Sequence, residues 1–183
     1  KAYDKLVKAR LVLIMDYAFF GMIVMRQKMV ECPSIPTMAV DGTHFFYNPE
    51  FALEQTDLHL IGEIAHEAMH LVYRHHLRMG TRDLERWNIA CDYVINFDLR
   101  QAGLQLPNWV YYKKEYGGLS AEEIYAIMPT TKLPQPLQGK GQGGSGGSNG
   151  AGQSKSYRVG SCGSSHRVGC YSNKNVWPQQ STN

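Results

Sequence analysis

The stretch Thr56-Asp57-Leu58-His59-Leu60-Ile61-Gly62-Glu63-Ile64-Ala65-His66-Glu67-Ala68-Met69-His70-Leu71-Val72 decides how the rest of the chain is read. It contains no proline, and Leu60, Ile61, Ile64, Ala68, Leu71 and Val72 recur at helical spacing, which predicts an amphipathic helix over residues 56–79. On such a helix His66 and His70 project from one face, one turn apart, close enough for two imidazole nitrogens to share an ion. Glu67 follows the first histidine, where a carboxylate can act as general base on a metal-bound water without being a ligand. The five residues His66-Glu67-Ala68-Met69-His70 spell HExxH, a zinc-site pattern of metallopeptidases.

A catalytic zinc usually takes three protein ligands. His76 lies six residues beyond His70, as a third histidine does in metzincins, but that pattern has a glycine where this chain has Tyr73. An unbroken helix would carry His75 and His76 away from the ion, leaving them as exposed or outer-shell groups. Asp92 is the preferred third ligand, with His76 the alternative and Glu85 a weaker one. It stands on a second helix predicted from residue 81 to 102, whose apolar stripe Trp87, Ala90, Cys91, Val94, Ile95 and Leu99 runs beside a polar stripe of Asn88, Asp92 and Asn96. The competing role for Asp92 is a salt bridge with Arg74 or Arg78.

Working outward, residues 3–17 read as a helix, with a break near Gly21 and a strand after it. Residues 37–40 and 44–47 flank Asp41-Gly42 as a hairpin. Met79-Gly80 stops the motif helix, Thr81 is its successor's expected cap, and Ser120-Ala121-Glu122-Glu123 is a capping box for a last short helix ended by Pro129. Leu106 to Tyr116 is an aromatic loop. Tyr73, Tyr93 and Tyr111 are candidate oxyanion donors, none of them assigned.

At 183 residues and 43% hydrophobic, the chain can bury one core. From residue 131 onward, prolines give way to glycine and serine, which predicts a disordered tail. There Cys162, His166 and Cys170 are spaced four apart without a fourth ligand, a weak metal pattern. A net charge of +3 from scattered basic residues does not imply nucleic acid. Leu11 to Met25 is too short, and interrupted by Asp16, for a membrane span or a secretory signal. Four cysteines, far apart except for the last pair and without a CxxC, fit a reducing, cytoplasmic setting.

The blocks Ala39-Val40-Asp41-Gly42, Tyr47-Asn48-Pro49-Glu50-Phe51, Ala65 through His70, Trp87 through Asn96 and Ser120 through Tyr125 occur in one order. In this the chain resembles a zincin-like metallopeptidase domain of bacterial and phage proteins that often carry a von Willebrand factor A-like domain behind it. The resemblance covers roughly residues 1–130 and implies a small sheet over the motif helix.

The expectation is an α+β fold: a compact zincin-like domain at residues 1–130, its small, mostly antiparallel sheet packed on helices, then a linker and tail at 131–183. It would hold one zinc ion and cut a peptide or protein substrate with Glu67 as base. The alternative is a non-catalytic binding or assembly module, and a separate protein partner could replace the missing second domain.

Overall fold

The computed structural model describes residues 1–129 and 170–171. In chain order the elements are α1 (Ala2–Asp16), α2 (Ala18–Met25), β1 (Lys28–Glu31), β2 (Met38–Val40), β3 (His44–Tyr47), α3 (Pro49–Glu54), α4 (Asp57–Val72), α5 (His75–Arg78), α6 (Leu84–Gln101), a 3-10 turn (Lys114–Tyr116), α7 (Ala121–Ile127) and β4 (Cys170–Tyr171). The fold is α+β, as expected, with a small sheet against a larger helical layer.

The sheet has the order β1-β3-β2-β4. The hairpin forms as read, with Met38 opposite Tyr47 and Val40 opposite Phe45. Asp41 Oδ1 accepts from the backbone N–H of Thr43 at 2.8 Å and of His44 at 2.7 Å, and Gly42 takes a positive φ of 102°. These bonds close the reversal with its backbone donors satisfied. β4 adds antiparallel to β2, whereas β1 adds parallel to β3. The expected disordered tail and the Cys162–His166–Cys170 metal pattern lie outside the described residues, except for the backbone pairing of β4.

Three local readings change. The strand expected after Gly21 is only β1, because residues 18–25 form α2 and the chain breaks at Tyr17 instead. Gly21 sits inside α2, where a Cβ would come within 2.6 Å of Ile14 Cα, so the glycine permits close helix packing rather than a turn. The N-cap of α6 is Asp83, not Thr81: its carboxylate accepts from Arg86 N at 2.9 Å. Cys32 is buried and disulfide-bonded, which the wide cysteine spacing did not signal, since distance along the chain says little about distance in space.

α4 is the centre of the domain. Thr56 caps it, its hydroxyl accepting from His59 N at 3.2 Å, and every residue from 60 to 70 is buried. Leu60, Ile64 and Ala68 join Leu6, Leu13, Met38, Phe45, Ile95 and Leu99 in the main core. Burying such side chains stabilises by about 1.5–3 kcal/mol each. A second cluster, Ile89, Tyr93, Tyr111, Tyr116, Ile124 and Met128, fixes α7 and the aromatic loop against α6. α7 starts with the full capping box predicted at Ser120 and Glu123. Among the described residues, no helix is long and apolar enough to cross a membrane.

Candidate metal centre

The helical period that sends Leu60, Ile64 and Ala68 into the core sends Glu63, His66, Glu67 and His70 toward α6. There His66 and His70 meet Asp92, which α6 contributes one turn before Asn96. His66 Nε2 and His70 Nε2 are 3.0 Å apart, and Asp92 Oδ1 is 3.4 Å from the first and 3.3 Å from the second. A tetrahedral ion with bonds of about 2.0–2.1 Å sets its ligand atoms about 3.3 Å apart, so this triangle fits one face of such a shell. Asp92 Oδ1 is buried and forms no well-aligned hydrogen bond, its close contacts being the two imidazole Nε2 atoms, an arrangement that a shared cation would complete. The three residues are 0–4% exposed and could hold a metal ion together.

Without the ion the site shares protons. Burial alone would lower the pKa of His66, but Asp92, with Glu67 and Glu63, outweighs it and holds the imidazolium up to about 9. His70 is pushed down, mainly by burial. Burial would raise Asp92, yet both histidines together pull it below the usual carboxylate range.

Glu67 is fully buried beside His66 on α4, and its charge acts on that imidazole. His76 is exposed and lines a separate groove with Phe19, Met22 and Arg74, so it does not join the cluster. Glu85 does not join it either. The ion pair considered for Asp92 is also not made: Arg78 instead holds Glu122, with Nε 3.0 Å from Oε1.

The helix predicted to run to residue 79 stops at Val72. Arg74 adopts the left-handed conformation, φ 51° and ψ 38°, without being a glycine, and this reverses the chain into α5. The reversal turns His75 back, so that its Nδ1 lies 3.2 Å from His70 Nδ1, while Trp87 Nε1 donates to the His75 carbonyl at 3.0 Å. His75 thus backs the His70 ring on the side away from Asp92. His66 is backed too: its Nδ1 lies 2.9 Å from Asn96 Oδ1.

Sequence reading missed Glu63. It is 2% exposed, and burial, despite the opposing charge of His66 and with the added repulsion of Asp92, raises its carboxyl to about 7. Its spacing was a usable signal, since it precedes His66 by three residues and Glu67 by four on the same face. Glu63, His66, Asp92, Asn96, Trp109, Val110 and Tyr111 line a small, partly open cavity of about 10 Å³. Of the candidate oxyanion donors, Tyr111 reaches this cavity, Tyr73 donates to Asp98, and Tyr93 packs edge-on against Tyr116.

An α+β domain with two histidines and an aspartate converging from two packed helices defines a candidate metal-binding protein. The model of the family described as "Putative metallopeptidase domain" matches residues 1–175, and the chain belongs to that family. The match runs through much of the segment expected as linker and tail. No curated protein and no solved structure matches the chain.

Proposed function

We propose that this domain is a zinc-dependent peptidase in which His66, His70 and Asp92 hold one ion and Glu67 is the general base. The observation that carries the reading is the triangle of two imidazole Nε2 atoms, one of them on the residue next to Glu67, and one buried carboxylate oxygen on the helix packed against it. Zinc, when bound there, supplies Lewis acidity that makes a neighbouring water a nucleophile near neutral pH. Glu67 takes the proton of the attacking water and returns it to the amine that leaves when the peptide bond breaks. His66 and His70 stay neutral ligands, each backed at Nδ1 by Asn96 or His75. A peptide or protein is the proposed substrate.

The small cavity also favours a second reading, a binding or assembly module whose buried ion only holds the fold. Elemental analysis of dialysed wild type, Asp92→Ala and His76→Ala tests the site. One zinc per chain, lost with Asp92→Ala and kept in His76→Ala, supports it, and no zinc in the wild type after zinc is supplied overturns it. Cleavage of a peptide library by the wild type but not by Glu67→Gln then selects the peptidase over the module.

A further inference from the structure

Asn96 bridges two parts of the molecule. Its Oδ1 faces His66 Nδ1 at 2.9 Å, and its Nδ2 donates to the backbone carbonyl of Tyr111, also at 2.9 Å. The side chain is buried, at 1% exposure, so neither end turns to water. A primary amide has one end that only accepts and one that only donates. The Tyr111 carbonyl can only accept, which commits Nδ2 to that side and Oδ1 to His66. An oxygen without a hydrogen obliges His66 Nδ1 to keep its proton. Nε2 is then the nitrogen left to offer a lone pair, and it points at His70 Nε2 and Asp92 Oδ1.

The other end of the bridge holds a roof. Between α6 and the Lys114–Tyr116 turn the chain has no helix or strand, yet Leu104, Leu106, Val110 and Tyr111 are buried and Trp109, Val110 and Tyr111 line the cavity over His66 and Asp92. The Gln105 carbonyl lies so close to α4 that a Cβ at Gly62 would be 2.2 Å from it. A cavity of about 10 Å³ holds at most one water, and a peptide carbonyl needs far more room. Among the described residues this loop is what stands over His66 and Asp92, so a peptide that approached from this side would have to displace it.

We infer that Asn96 is a positioning residue that fixes the metal-binding tautomer of His66 and latches residues 104–116 over the site, so that ligand geometry and access are set by one side chain. The inference rests on the metal site proposed above. Lifting the loop breaks the Asn96 donor contact to Tyr111 while its acceptor contact to His66 can persist. The ion is then retained as the site opens.

Two substitutions separate the two contacts. Asn96→Ala removes both, whereas Asn96→Asp keeps an acceptor for His66 Nδ1 but presents a carboxylate that cannot donate to the Tyr111 carbonyl. The measurements are zinc affinity by competition with a chromophoric chelator and hydrogen exchange of residues 104–116 by mass spectrometry. Asn96→Ala is expected to bind zinc about 10- to 100-fold more weakly and to exchange faster in the loop. Asn96→Asp is expected to bind zinc within a few-fold of wild type while its loop exchanges as fast as that of Asn96→Ala. Wild-type affinity in Asn96→Ala, or equal loss in both variants, overturns the tautomer half, and unchanged loop exchange in Asn96→Asp overturns the latch. Should Asn96→Ala fail to fold, Asn96→Leu, which keeps most of the volume and loses both polar ends, takes its place in both measurements. A wild type that binds no zinc overturns the metal site itself, whereas zinc-binding wild type with indifferent variants overturns only the role of Asn96.

Discussion

The two buried faces of α4 have opposite chemistry. One carries Leu60, Ile64 and Ala68 into the main core, and the other carries Glu63, His66, Glu67 and His70 against α6, all nearly as inaccessible. The apolar face gains free energy by leaving water, whereas ionisable groups lose hydration and repay it only through partners. A fold seeking stability alone would make both faces alike. The difference teaches that the apolar face carries the structure, while the polar face gathers ionisable groups around a candidate metal centre at some expense to the metal-free protein.

Substitutions along α4 can break this contrast. Glu67→Gln, on the polar face, should still bind zinc and lose about 10²- to 10⁴-fold in peptide hydrolysis. Turnover near that of the wild type, with metal content verified, would remove Glu67 from the proposed mechanism. Ile64→Ala, on the apolar face, should destabilise by about 2–5 kcal/mol with or without metal, read as a lower denaturant midpoint. If its effect appeared only in the metal-free protein, the two faces would not be independent.

Glu63→Gln gives the pH signature. The Glu63 carboxyl titrates at about 7 in the folded metal-free protein, above its unfolded value of about 4.3. Its stabilising contribution is therefore fully present below pH 4.3 and lost as pH rises through 7. Glu63→Gln should gain on wild type by up to about 3 kcal/mol between pH 5 and pH 8, checked by metal-free urea melts at both values. A constant difference would show that the polar face carries no such penalty. The smallest effect belongs to Leu58, on the outward side of the same helix and 53% exposed. Leu58→Lys should change stability by no more than about 0.5 kcal/mol and leave zinc binding unchanged, as thermal melts of both forms would show.

Much of this was legible in the chain because it depended on local periodicity. Four-residue spacing placed His66 and His70 together, a second helix at a short remove brought in Asp92, and Asp41-Gly42 and Ser120 through Glu123 marked the hairpin and the capping box. The misreadings have a common source in tertiary packing. Gly21 looked like a breaker because its demand for space comes from Ile14 on another helix. Arg74 gave no sign of a left-handed turn, since the packing of α5 against Trp87 stabilises a conformation its own side chain disfavours. Asn96 stood on the right stripe, but only the position of the Tyr111 carbonyl reveals which way its amide points.

The roof over His66 and Asp92 also has a consequence in time. Were an ion held by His66, His70 and Asp92, side chains 0–4% exposed beneath a cavity of about one water's size, it would exchange with solvent slowly while the loop is down. Departure of such an ion would then be clocked by the loop, and adding more chelator beyond saturation should not hasten it. A protein of this construction would keep its metal through a brief passage into scarcity, holding by delay what it could not hold by affinity alone.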